Sequence, residues 1–556
     1  METQASDIHE ESSLNSAAIQ PSEHREGLRK TGWIILLVFA VGIFMDRITF
    51  NRLLGAQWAI FVNLLLLVVF VAAKVEQRSI PWQSYLLAIP ISLTGILTYF
   101  RLEPYTLMAL VGFSLVGLVY LAISLLNGQW MVYRLREVIV QGLRLIGSAF
   151  IGLPIALIQS SHHEDSESTQ EKSKGKGWAI LRGVLIAIPL LVIFGLLFSA
   201  ADPIFSAGIS GAFSWLRIEI TDEVVAQIVL VLLFTYFGFG ALWHALTKTQ
   251  KPQPVEPDQP LVRPFLGMTE SSIILASLIV LFGAFVLVQV RYFFGGGANI
   301  SAEGYTYAEY ARRGFFELVV VALFTWLVHY GLSSFTRRES RRERTTFTLL
   351  GVLLLLLTGV ILVSAFQRLS LYEAAYGFTR DRLVAHIFMI FVGLALVVSI
   401  LLEATRRLKH MALSLLLGLL AFSLTLTFVN VDATIARQNL EHAIAGHPLD
   451  EAYLAGVTIS EDAVPELFRY FDSGELSPEL YEELGNVIRC RRGRYWDRWF
   501  DNRFWASQHA SRTKALELYQ AHEQALDPFA LIGFQDGAAG YIFPDGKVIC
   551  VYPPEE

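Results

Sequence analysis

Glu309, Arg312, Arg313 and Glu317 stand just ahead of a long apolar run, and Glu309, Arg313 and Glu317 are spaced by four. On one helix these three would share a face and form a ladder of ion pairs. Arg382 and His386 repeat that spacing. Asp202, Gln289, Arg291, Gln367, Arg368, Arg380, Asn430 and Asp432 also lie at the ends of apolar stretches. Within this set six arginines face four carboxylates, a positive surplus that suits a phosphate or carboxylate arriving from water. The same residues are explained without a ligand if the arginines meet lipid headgroups and the carboxylates fix helix register.

Other chemistry is thinly supported. The sequence contains no phosphate-binding loop, dinucleotide fingerprint, HExxH, CxxC or nucleophile-elbow serine. His162, His163, Glu164 and Asp165 are adjacent on a Ser-rich stretch, where side chains point apart, so no metal is expected, and no cofactor. Both cysteines, Cys490 and Cys550, fall near the carboxyl terminus. They are either bridged, as an oxidising compartment would allow, or two unrelated buried thiols.

The elements that must carry these residues follow from composition. Of 556 residues, 54% are hydrophobic and 17% charged, and mean hydropathy is +0.48. That is too apolar for a water-soluble chain of this size and fits one whose solvent is largely lipid. A net charge of −6, unevenly spread, makes nucleic acid an unfavourable partner.

Lipid offers no partner for a bare backbone N–H or C=O, so spanning segments must be helices of about 20 apolar residues. Eleven stretches qualify: 31–50, 53–73, 81–100, 105–126, 178–199, 224–246, 271–290, 314–332, 346–366, 383–402 and 411–431. Gln141, Arg144 and Pro154 lead to reading 138–158, within a cytoplasmic segment 127–177, as an interfacial helix. Residues 1–30 are a polar tail with no cleavage site. With an inside amino terminus, the inner segments hold 22 Lys and Arg and the outer loops 10, which predicts N-in and C-out. The fold class is thus all-α: a polytopic helical membrane bundle of residues 31–432, with a mostly helical soluble domain, 433–556, outside the cytoplasm.

That tail has 20 Asp and Glu against 11 Lys and Arg. Helix starts are predicted at Asp450-Glu451, at Ser460-Glu461-Asp462 with Pro465, and at Ser477-Pro478-Glu479. Tyr541-Ile542-Phe543 and Val548-Ile549-Cys550-Val551, joined through Pro544-Asp545-Gly546, read as a hairpin. Arg489, Arg491, Arg492, Arg494, Arg498 and Arg503 interleave with aromatic residues, as either a headgroup-docking patch or a core helix with arginine on its wet face.

Some strings go beyond hydropathy: Arg182-Gly183 with Pro189, Phe194 and Ala201-Asp202-Pro203; Gln289 to Gly296; Thr306 to Leu318; Tyr372-Glu373 with Tyr376 to Arg380; Asn430-Val431-Asp432; and Asp462 to Pro465. Together they resemble the uncharacterised bacterial membrane-protein family catalogued as domain of unknown function 4173, from about Arg182 into the tail. The resemblance implies a bacterial polytopic membrane protein and transfers no activity, substrate or catalytic residue.

The expectation is therefore a multi-pass protein of the cell membrane. It is a non-enzymatic transporter-like or sensor-like bundle with an outward site for a small anionic ligand, made from Glu309, Arg312, Arg313, Glu317, Arg368, Arg380, Arg382, His386 and Asp432. The alternatives are an outer-leaflet enzyme acting on a lipid-linked substrate, with Asp46 as base or metal ligand, or an anchor that holds the acidic tail for an envelope partner protein. The bilayer is a partner in every case.

Overall fold

The computed structural model describes residues 30–50, 55–164, 222–249, 265–294, 315–456, 458–500, 505–529, three short strands between 534 and 551, and isolated positions besides. Eleven helices form the bundle among the described residues. They are α1 (Thr31–Thr49), α2 (Gln57–Val75), α3 (Trp82–Leu97), α4 (Pro104–Ser124), α5 (Leu135–Glu164), α6 (Asp222–Thr247), α7 (Met268–Phe294), α8 (Phe315–Phe335), α9 (Arg341–Tyr376), α10 (Arg380–Ala404) and α11 (Met411–Val429). Ten of these contain a stretch long and apolar enough to cross a membrane; α3, with Pro90 inside, is the shorter exception. The chain is an integral, multi-pass membrane protein. Leu, Val, Ile and Phe point outward all round the bundle, as lipid permits.

One element is longer than expected. Residues 138–158, read from sequence as an interfacial helix, form the middle of α5, which runs antiparallel to α6. The reason is small residues. A Cβ on Gly240 would sit 2.5 Å from the Ala149 carbonyl oxygen, and one on Gly152 would sit 2.9 Å from Gly240 Cα, so the two backbones touch where neither has a side chain. The Ser148 hydroxyl and His244 Nδ1 lie 2.8 Å apart across the same seam. The span expected at 178–199 lies outside the described residues.

Hydrogen bonds sort the helix ends into two groups. At the far end, Lys30 N–H donates to Glu76, Leu126 N–H to Thr249, and Arg338 to Glu403. At the other end lie the turns after α1, α3, α9 and α11, all of which touch the tail. Successive described helices alternate between these ends, so the start of α1 and the end of α11 are on opposite ends. Both the end of α5 and the start of α6 lie at the tail end.

The tail is α12 (Val431–Ile444), α13 (Glu451–Ala455), α14 (Val464–Phe471), α15 (Pro478–Phe500), α16 (Ala510–Ala521), α17 (Glu523–Leu526) and an antiparallel sheet, β1 (Phe534–Gln535), β2 (Ala538–Ile542) and β3 (Val548–Val551). The caps are those the sequence announces: Asp450 accepts from Tyr453 N–H, Ser477 from Leu480 N–H, and Pro465 opens α14. Tyr541 pairs with Cys550 across β2 and β3. The tail does not hang free. Ala109, Val384, Ile387 and Leu426 of the bundle share one apolar core with Val431, Ile435, Leu467, Phe468 and Ile488 of the tail.

Candidate functional site

A buried polar network lies where bundle meets tail. Glu103 precedes Pro104, which leaves the first amides of α4 without helical partners, and its carboxylate caps them: Tyr105 N–H at 2.9 Å and Thr106 N–H at 2.6 Å. Arg380 opens α10 and donates twice to Asp432 at the start of α12, at 3.0 and 2.6 Å, while its Nε stands 3.2 Å from Glu103. Asp432 is fully buried and also accepts Ser460 N–H at 2.7 Å. Thus one guanidinium ties a spanning-helix cap, a second spanning helix and two tail elements together. Geometry of this quality is what lets a buried ion pair offset its desolvation.

A second clasp uses Asp462. Its Oδ2 accepts Leu102 N–H at 2.7 Å and Glu103 N–H at 3.0 Å, and its Oδ1 accepts the Ser511 hydroxyl. Burial pushes both Asp462 and its neighbour Glu461 up from the ordinary carboxylate range, and pushes Glu103 up as well. The backbone closes the seam, with Ala56 N–H donating to Ala506 O and Ala510 N–H to Tyr99 O.

His509 completes this contact. Its Nδ1 accepts Ser511 N–H at 3.2 Å, so Nε2 carries the proton and donates to the Thr98 carbonyl at 3.1 Å. Burial lowers its pKa to about 4, so the ring is neutral in the docked tail. An unfolded or undocked histidine takes up a proton from about 6.5 downward. Docking stability is therefore whole above that pH and declines as pH falls toward about 4, by up to ~3 kcal/mol. Melting temperature followed from pH 7.5 to 4.5 should drop more steeply in the wild type than in His509→Gln; parallel curves would refute the assignment.

Between the clasps lies a cavity of about 450 Å³. Its walls come from both partners: Leu97, Phe100 and Arg101 at the end of α3 and just beyond it, Phe428 and Asn430 at the end of α11 and just beyond it, and Lys514 of the tail. Asn430 holds a left-handed φ of +51°, and its buried Oδ1 has no hydrogen-bond partner among the described residues. Asp462 lines the cavity too, but its oxygens are occupied by the contacts above. Arg101, which lines the cavity, is anchored by its Nε to Thr427 O at 2.8 Å and by one terminal nitrogen to Phe100 O at 3.4 Å.

The residues singled out by sequence separate into groups. Arg380 and Asp432 meet, and neutralise each other. Arg382 stacks on Tyr372 with its guanidinium carbon 4.1 Å from the ring centre and donates to Gly377 O. His386 Nδ1 stands 3.0 Å from Glu373, and Arg368 donates to Gln289 at 3.0 Å, both between α7, α9 and α10. Arg368, Arg382 and His386 thus lie on the α9 side of α10, apart from Arg380 and Asp432. Glu317 is exposed in the first turn of α8, while Glu309, Arg312 and Arg313 lie outside the described residues. Asp46 sits in the last turn of α1. Among the described residues no group of His, Cys, Asp and Glu is arranged to hold a metal ion.

Sequence reasoning passed over Glu103, Arg101 and Lys514. For Glu103 a signal was available: an acidic residue directly before a proline that starts an apolar run is a cap. Nothing local marks Arg101 or Lys514, which meet across more than 400 residues.

In the tail, Cys490 is buried and disulfide-bonded, and Cys550 is the chain's other cysteine. Arg491 is neither at a headgroup patch nor on a wet helix face. It is fully buried and donates to the carbonyls of Leu454, Gly456, Ile459 and Ser460 at 2.8 to 3.3 Å. Arg492 pairs with Glu523.

Residues 88–470 match the family model described as Domain of unknown function (DUF4153), a span running from within α3 to the last turn of α14. No curated protein and no solved structure matches. The number is not that of family 4173, which the local strings resemble, and the match begins well before Arg182. What stands of that expectation is a family of unknown function. The match takes in Glu103, Arg380, Asp432 and Asp462 and stops short of Arg491 and Ser511. Matched over well more than half its length, the chain belongs to the DUF4153 family.

Proposed function

We propose that this is a sensor-like membrane protein in which a small amphiphilic anion enters the cavity between bundle and tail, and the docked tail reports its presence. The observation that carries the reading is the cavity's double wall. Any occupant must touch spanning helices and tail together, so its binding free energy is differential between docked and undocked tail. Leu97, Phe100 and Phe428 suit an apolar body, and Arg101 and Lys514 suit an anionic head. Of the arginines named from sequence, Arg380 belongs to the clasp rather than to the pocket, since it is already paired with Asp432 and Glu103.

In the same reading the far end faces the cytoplasm and the tail lies outside it. The run from Arg337 to Arg344, with Arg406, Arg407 and Lys409, supports this by the bias of cytoplasmic loops toward Lys and Arg. A Cys490–Cys550 bridge in the tail supports it by redox compartment.

The test uses the full chain in non-ionic detergent with octanoate and octyl phosphate as probes. Melting temperature should rise by several degrees for the wild type and stay flat for Arg101→Gln with Lys514→Gln. Hydrogen exchange at 509–514 should slow in the same samples. Equal shifts in wild type and variant would overturn the pocket. A phosphatase reporter fused after Ala521 should be active in cells and one after Ser340 silent, the reverse pattern overturning the orientation.

A further inference from the structure

The far end of the bundle holds a second cavity, about 360 Å³, lined by Thr336, Arg338, Arg344, Thr348, Glu403 and Arg406. Three guanidinium groups border it against one carboxylate, and that carboxylate is only 2% exposed. Glu403 is already occupied. It accepts from Arg338 at 3.2 Å, from the Ser333 hydroxyl at 3.0 Å and from the Thr348 hydroxyl at 3.3 Å. Arg338 is fixed in turn by the Ser333 carbonyl and by stacking over Phe347, 4.2 Å from the ring centre.

The other two cations have donors to spare. Arg344 spends its Nε on the Arg338 carbonyl at 3.0 Å, which aims its two terminal nitrogens without using them. Arg406 makes no side-chain hydrogen bond or ion pair among the described residues. Its backbone is held at a left-handed φ of +57°, with its N–H on the Glu403 carbonyl at 3.1 Å. A non-glycine residue is seldom kept in that region unless its surroundings require it, and such positions gather at functional sites. Like charges converging on one cavity repel, and a multivalent anion between them removes the repulsion. Planar guanidinium forks match the oxygens of a phosphate two at a time.

We infer that Arg338, Arg344 and Arg406 form a binding site for a phosphate group at the end of the bundle away from the tail, with the Thr348 hydroxyl beside it and Glu403 holding Arg338 in place. The site is separate from the tail-end cavity and from every residue named above as a ligand contact. A soluble phosphate and the phosphate of an anionic lipid headgroup share this chemistry.

The experiment uses the full chain, purified in non-ionic detergent, and radiolabelled inorganic phosphate. Wild type should bind it saturably. Arg344→Gln with Arg406→Gln should weaken binding at least tenfold, whereas Arg341→Gln with Arg342→Gln, which removes two neighbouring charges outside the cavity, should change it less than twofold. Arg101→Gln with Lys514→Gln should leave it unchanged, which keeps this site distinct from the tail-end pocket. If the first double variant does not fold, Arg406→Gln alone reads the same loss, because its side chain is exposed and holds no other part of the chain.

Native mass spectrometry from nanodiscs of phosphatidylcholine with phosphatidylglycerol then names the source. Retention of phosphatidylglycerol lost only in the Arg344 and Arg406 variant identifies a headgroup site. Equal retention in all variants, with phosphate binding still lost, identifies a soluble phosphate. If the two arginine pairs behave alike in both assays, only diffuse surface charge is present and the site is overturned.

Discussion

Replacing Arg380 with Ala should destabilise the protein by about 3–5 kcal/mol, the range for removing one partner of a buried ion pair. The size follows from what is left behind. Asp432 is fully buried and Glu103 is 1% exposed, and both would lose their counter-charge. Two carboxylates would then face each other in a site with little water. The tail should loosen first, because Asp432 also holds Ser460 N–H and so fixes the start of the α14 segment. A thermal melt of the full chain, with hydrogen exchange at 431–436 and 460–467, reads both effects.

Asp432→Ala alone should cost less, since Arg380 keeps Glu103. The double variant should cost less than the sum of the singles, because the second change removes a charge that the first has orphaned. Exchanging the two residues should not rescue stability, as Asp at 380 would stand beside Glu103. A melting temperature for Arg380→Ala within a degree of the wild type would refute the clasp.

Arg491→Leu should be comparably severe, on the order of 3–5 kcal/mol, but confined to the tail. Leucine fills much of the volume yet donates nothing to the carbonyls of Leu454, Gly456, Ile459 and Ser460. Those carbonyls lie at the end of the short helix α13 and in the connection after it, and they would lose these donors in the interior. Glu461, nearly buried and held partly by the Arg491 charge, would lose that support too. Arg491→Lys should recover only part of the loss, since one ammonium cannot reach four acceptors spread over a planar fork. Limited proteolysis should cut between 454 and 461 in Arg491→Leu and not in the wild type, with the spans intact in both. Resistance equal to wild type would show that the segment is held by other contacts.

These two arginines mark the boundary of what a local reading can see. Arg380 is conspicuous as a charge at the start of an apolar run, and a surplus of such arginines reads as an open anion site. Its partners are 277 residues upstream and 52 downstream, so nothing near it reveals that it is already paired. Arg491 lies in an Arg and aromatic stretch that suggests a surface, and only the fold of residues 454–460 around it makes it the centre of a core. The far-end cavity is similar: Arg337 to Arg344 reads as a topology signal, and Glu403 and Arg406 reach it only because α10 returns to that end.

The α5 segment shows a milder case. Its polar residues Gln141 and Arg144 argue for an interface, while the glycines that seat it on α6 carry no hydropathy signal at all. Close backbone approach at Gly152 and Gly240 brings the two helices together, and Leu153 and Ala156 then pack with Phe239 and Trp243.

By itself the sequence determined that the chain is helical, crosses the membrane many times and ends in a capped acidic tail. Those features follow from hydrogen-bond satisfaction in lipid and from caps and prolines, which act over a few residues. Tertiary structure alone decided which charges are spent on one another, which cations line a cavity, and that the tail is clasped to the bundle. Charge neutralisation is a property of pairs brought within about 3 Å, and the chain sets those pairs by how its helices return, not by where the residues fall along it.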